Sequence, residues 1–92
     1  MFKQKHVYAA GAIVEMKVWV VPRNPKAPEG FKYSLVYIDR NGKRILGYDN
    51  AEGKGHHRHE GQGETPMQFQ SIDQMTERFL KEVQDRRRPY EG

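Results

Sequence analysis

Ninety-two residues without a cysteine, carrying a net charge of +4, leave room for a single domain spanning 1–92 with one modest core, and they exclude a disulfide scaffold or a cysteine-bearing zinc motif. An apolar share of 36% beside a charged share of 30% fits a small globular domain and excludes a disordered tail. The most apolar early stretch, "AAGAIVEMKVWVV", is broken by Glu15 and Lys17 and is far shorter than the roughly 20 apolar residues that cross a bilayer, so the expectation is a soluble cytoplasmic protein with no targeting segment.

Residues 1–10 are ambiguous, either an extension of the first strand or a separate edge strand. Residues 13–22, "IVEMKVWVVP", alternate with period two: Val14, Met16, Val18 and Val20 on one side, Glu15, Lys17 and Trp19 on the other, which predicts a half-buried strand. The loop "RNPKAPEG" follows. Residues 31–39, "FKYSLVYID", alternate again, and Asn41-Gly42 signals a tight hairpin of type I′ into a returning strand at 43–49. Residues 50–70 hold four glycines and one proline and read as mostly loop, with a brief strand at "HHRHE".

A helix is predicted over 71–88. Ser71 caps it, Gln74 completes the capping-box spacing, and Ile72, Met75, Phe79, Leu80 and Val83 form one apolar stripe. Pro89 is expected to stop it. The order strand, strand, strand, loop, helix predicts an α+β fold. It consists of a small antiparallel sheet of three to five strands with one C-terminal amphipathic helix packed on one face. The second face is left partly open, and Trp19 on it is a candidate contact for a partner or a second copy.

Charge is uneven along the chain. Residues 1–50 carry nine Lys or Arg against four Asp or Glu, so a basic sheet stands beside a neutral helix and would attract a polyanion such as RNA or DNA. Ordinary solubilising surface charge explains the same excess.

The densest chemistry lies in "GYDNAEGKGHHRHEG", where His56, His57 and His59 fall within four positions. Metal-independent RNA cleavage needs a base for the 2′-hydroxyl, an acid for the 5′-oxygen and a cation for the phosphorane. Imidazole suits both proton transfers. In an extended "HHRH", His57 and His59 share a face while His56 and Arg58 point the other way. Lys54 and Arg58 would then neutralise phosphate charge, and Asp49 would hold one imidazole in its working tautomer. A metal reading uses the same atoms, with His57 and His59 as ligands and Asp49 or Glu60 as a third, though the spacing matches no closed structural zinc site. A solvated, histidine-rich loop without chemistry is the third reading. Tyr48 and Tyr37 are candidates for stacking on bases. Arg86, Arg87 and Arg88 could contact phosphate or end the helix in solvent. His6 stands alone and receives no role.

The segments "IVEMKVWVVP", "FKYSLVYID", "ILGYDNAEGKGHHRHEG" and "TPMQFQSIDQMTERFLKEV" together resemble the TumE-like family of small bacterial toxins over about residues 12–85. The most specific part is the pattern YDNxxGKGxHRH, present at Tyr48, Asp49, Asn50, Gly53, Lys54, Gly55, His57, Arg58 and His59. The resemblance implies a growth-inhibiting protein, the toxin of a toxin–antitoxin module, whose partner antitoxin carries a helix-turn-helix domain. Interference with RNA or translation is the expectation for a toxin of this size. The acid and base roles of His57 and His59 come from imidazole chemistry, not from the family.

The resulting expectation is a toxin acting on RNA as an endoribonuclease, without metal or cofactor. A non-enzymatic module binding nucleic acid or protein, and a metal-dependent nuclease, are the alternatives.

Overall fold

A computed structural model describes residues 1–50 and 55–91, the last four by backbone alone. Six strands form one antiparallel meander in chain order: β1 (Phe2–Val7), β2 (Ile13–Val20), β3 (Phe31–Ile38), β4 (Arg44–Asp49), β5 (His57–Glu60) and β6 (Gly63–Pro66). The helix α1 (Ile72–Glu91) follows and covers one sheet face. The α+β class is as the alternation predicts, but the sheet has six strands rather than three to five. The extra pairing comes from the two edges. Every residue of β1 and β6 is exposed, so neither carries the apolar alternation that marks a half-buried strand. The stretch 50–70, expected to be mostly loop, thus holds two strands joined by a turn with Gly61 at φ +58°.

The β1–β2 and β3–β4 hairpins use one turn design. Gly42 N–H donates to the Asp39 carbonyl (2.9 Å) and Asp39 N–H to the Lys43 carbonyl (2.9 Å), with Gly42 at φ +85°. Gly11 N–H donates likewise to the Tyr8 carbonyl (2.9 Å) and Tyr8 N–H to the Ala12 carbonyl (2.8 Å), with Gly11 at φ +96°. Both are three-residue turns whose left-handed position falls to glycine, not the two-residue type I′ turn that Asn41-Gly42 suggested. The Asp39 carboxylate selects this form by accepting the N–H groups of both Asn41 and Lys43 at 2.9 Å.

The core is the alternating set of the central strands against the helix. Val14 and Met16, Tyr33, Leu35 and Tyr37, and Leu46 and Tyr48 meet Met75, Phe79 and Val83. Tyr48 and Phe79 are both fully buried, their rings edge to face with centroids 5.0 Å apart. Leu80, part of the predicted stripe, stays 41% exposed because Met75, Phe79 and Val83 at i, i+4, i+8 already fill the contact. Ser71 Oγ accepts from Gln74 N–H at 3.1 Å, the expected cap. The helix continues past Pro89 to Glu91, where proline stops it less sharply than expected. The missing N–H removes one backbone bond, and near a terminus few later turns remain to be misaligned.

A polar clamp fastens α1 over β4 and β5. Tyr48 O–H donates to Glu82, and the Arg58 guanidinium donates to both Glu82 carboxylate oxygens, with Nε at 3.1 Å from Oε2. Arg86 bridges Glu60 and the Glu82 carbonyl, and Arg87 lies over the Tyr8 ring. Burial would raise the Glu82 carboxyl, but hydrogen bonds from Arg58 and Tyr48 and the charges of Arg58 and Arg78 outweigh it and hold Glu82 below its ordinary 4.5.

Truncating Phe79 to alanine is expected to cost about 3–5 kcal/mol in a urea unfolding curve, because its fully buried ring leaves a cavity between sheet and helix. A depressed carboxylate stabilises the fold above its unfolded value and loses that contribution as pH falls through the folded one. The melting temperature should therefore drop as pH falls below about 4.5, and Glu82→Gln should shrink that drop. An unchanged acid limb in the variant would exclude Glu82 as its source.

Candidate functional site

The face opposite the helix is built by strand register. One row across it reads Lys3, Lys17, Ser34, Asp49, His57 and Pro66; the next reads Lys5, Glu15, Val36, Gly47, His59 and Glu64. Because side chains alternate, Asp49, His57 and His59 share this open face, while Tyr48 and Arg58 between them point to the helix.

The two histidines are held by crossed diagonal pairs. His59 Nε2–H donates to Asp49 Oδ2 at 2.8 Å, and Asp49 is itself the cross-strand neighbour of His57. His57 Nδ1 lies 3.1 Å from Glu64 Oε1, and Glu64 is the neighbour of His59. His59 is thus oriented by the carboxylate opposite His57, whereas His57 only comes within ion-pair distance of the carboxylate opposite His59. Since a carboxylate only accepts, the Asp49 bond fixes the proton of neutral His59 on Nε2 and leaves its lone pair on Nδ1. The imidazoles are 16% and 15% exposed, sunk into the face but open to it.

His56, for which the local pattern suggested no individual role, is the most enclosed of the three. Its ring is stacked 4.6 Å from Phe69 and 5.6 Å from Tyr33. Its Nε2–H donates to Glu29 Oε2 at 3.1 Å, so Nδ1 of the neutral ring accepts the Tyr33 O–H at 2.6 Å. The hydrogen bond from His56 draws the Glu29 carboxyl below its ordinary value against the opposing effect of burial. Burial, reinforced by the charges of Asp49 and Glu29, pushes the Tyr33 phenol well above its ordinary value. This chain ties the 21–30 loop to the start of β5 and has the character of a structural lock.

Other expected site residues are dispersed. Tyr48 is fully buried beneath Phe79 and hydrogen-bonded to Glu82, which closes base stacking to it; Tyr37, 6% exposed, is likewise in the core. Arg58 lies across the sheet from His57 and His59, its guanidinium occupied by Glu82 and Glu60, so the phosphate role expected of it meets a fold that turns it away. The phosphate role expected of Lys54 falls outside the described residues. Asn50, 3% exposed, replaces a strand residue: its Oδ1 accepts from Tyr33 N–H and its Nδ2–H donates to the Phe31 carbonyl, both at 3.0 Å. Its role is therefore to satisfy the β3 backbone where β4 ends. Among the described residues no three His, Asp or Glu side chains converge as a metal would require, and no helix is long and apolar enough to cross a membrane.

A family model described as Toxin TumE matches residues 2–87. No curated protein and no solved structure matches the chain.

Replacing Tyr33 by phenylalanine removes the donor to His56 and leaves a buried ring nitrogen without it. The variant is expected to lose about 1–3 kcal/mol in urea unfolding. Parental stability would show that the Glu29–His56–Tyr33 chain contributes nothing to the fold.

Proposed function

The chain belongs to the TumE toxin family, and from that premise we propose that it is the toxin of a toxin–antitoxin module and acts on RNA as a metal-independent endoribonuclease. The observation that carries this reading is the pair His57 and His59 on one open face, with His59 oriented by Asp49 at 2.8 Å. Positions i and i+2 of a strand are about 6.6 Å apart, which leaves a phosphorane room between the two rings.

In this mechanism His59 Nδ1 takes the proton of a ribose 2′-hydroxyl. The 2′-oxygen attacks the adjacent phosphorus, the bond from phosphorus to the 5′-oxygen breaks, and His57 delivers a proton to that oxygen. The products are a 2′,3′-cyclic phosphate and a 5′-hydroxyl, with one proton taken and one given. Asp49 positions the base, and Glu64 lies within ion-pair distance of the acid. Arg58 acts indirectly, by fastening β5 to the helix. The expected protein partner is an antitoxin with a helix-turn-helix domain, which would neutralise the toxin by covering the open face.

Non-enzymatic binding is the competing reading, favoured by the fact that each imidazole already faces a carboxylate. The test is incubation of purified protein with end-labelled RNA, with and without EDTA, beside a His57→Ala/His59→Ala double variant. Cleavage that survives EDTA and falls at least about a hundredfold in the double variant is expected. Cleavage lost in EDTA would transfer the site to metal-dependent chemistry. RNA bound but never cut would leave a binding module.

A further inference from the structure

The open face carries cations that the histidine mechanism does not use. Between Tyr37 and Ile38 the β3–β4 register shifts, and Arg44 comes to lie opposite Ile38, a residue of the open face. Its side chain is laid across Gly47: a Cβ built on Gly47 would stand 3.2 Å from Arg44 Cδ and 3.7 Å from Nε. Gly47 is the cross-strand neighbour of His59, so this arginine is brought beside the histidine pair. Arg58, Arg78 and Arg86 are each tied to Glu60 or Glu82 on the helix side. Arg44 is exposed and has no carboxylate partner among the described residues.

Further along the same face, exposed Lys32 pairs across the strands with half-buried Trp19, the only tryptophan of the chain. Lys17 lies between, opposite Ser34 in the row that leads to Asp49 and His57. Its ion pair with Glu15 at 3.1 Å is partly exposed, and a phosphate can replace such a pair at little cost. Strand geometry puts Trp19 about 16 Å from Gly47, a span of two to three nucleotides of extended single strand.

We propose that this face binds single-stranded RNA along a track from Arg44 over Gly47, past Lys17, to Lys32 and Trp19. The inference rests on the RNA-directed reading of the histidine pair and names the form of RNA that the pair receives. Arg44 grips the phosphate beside His59, Lys17 and Lys32 hold neighbouring phosphates, and Trp19 stacks on an unpaired base. A duplex keeps its bases stacked on one another and offers Trp19 nothing. Gly47 has a use in this arrangement: a side chain there would crowd the arginine that lies across it.

Trp19 supplies the readout, since its fluorescence reports on this face alone. The probe is a 2′-O-methylated oligouridine of about twelve nucleotides, which cannot be cut through its 2′-oxygen and so reads binding apart from chemistry. Quenching that weakens steeply with salt is expected for the single strand and not for a duplex of equal length. Arg44→Gln and the pair Lys17→Gln/Lys32→Gln should each weaken binding about tenfold, while Lys81→Gln on the exposed side of the helix should not. Gly47→Ala, at a backbone conformation open to any residue, should weaken binding less than Arg44→Gln, because it shifts the arginine slightly and leaves its charge in place.

Absence of quenching, equal quenching by the duplex, or an affinity untouched by Arg44→Gln would overturn the proposal. So would a tryptophan signal that changes with protein concentration alone as the sedimenting mass doubles, which assigns the face to a second copy. If the probe binds as described but ordinary RNA is never cut, the track stands and the ribonuclease reading falls. If RNA is cut but neither binding nor cleavage depends on Arg44, the ribonuclease reading stands and the track falls.

Discussion

The Glu82 carboxylate under α1 is where the two faces of the sheet are assigned. Tyr48 from β4 and Arg58 from β5 both reach it, one through a phenol and one through a two-pronged guanidinium. Side chains alternate along a strand, so fixing these two residues toward the helix forces Asp49, His57 and His59 to the opposite face. A slip of one residue in β5 would bury both histidines under the helix and expose Arg58. The clamp carries no chemistry of its own, yet the candidate site depends on it.

The same division sorts the charges. Arg58, Arg78 and Arg86 are drawn into the helix side, where Glu60 and Glu82 neutralise them. The lysines of β1, β2 and β3 and Arg44 stay on or near the open face. The chain's net charge is modest, but its basic excess is therefore concentrated on one surface beside the histidine pair. Edge protection reinforces this: Lys3 and Lys5 on β1 and Pro66 on β6 keep the sheet from pairing with other strands while leaving the face between them accessible.

The histidine cluster is really two structures. His56 stacks against both Phe69 and Tyr33, which also meet each other, and bridges Glu29 to the Tyr33 hydroxyl, an arrangement that holds a proline-rich loop to the sheet. His57 and His59 face the other way and meet carboxylates at the surface. A similar split runs through the YDNxxGKGxHRH pattern, in which Tyr48, Asn50 and Arg58 build the frame and Asp49, His57 and His59 make up the candidate site. A motif of this kind reads as one functional unit in sequence because alternation interleaves frame and site residues.

The local patterns were sufficient for the central strands, the cap at Ser71 and the face shared by His57 and His59, because each follows from a period of two or from a bond within four residues. Where partners lie far apart in the chain, sequence had no means to pair them. Arg58 and Tyr48 looked like ligands for phosphate and base until Glu82, on another element, claimed them. His56 looked dispensable until Glu29, Tyr33 and Phe69 closed around it. Strands β1 and β6 left no apolar signature because edge strands are held by backbone bonds, which every residue can make. Arg44 came to lie over Gly47, the neighbour of His59, only through a register shift and the missing side chain of that glycine. What the sequence by itself determined is the chemistry available on each strand face; tertiary structure alone decided which of those groups are committed to holding the helix and which remain to meet a ligand, because a charge or hydroxyl can serve only one of the two.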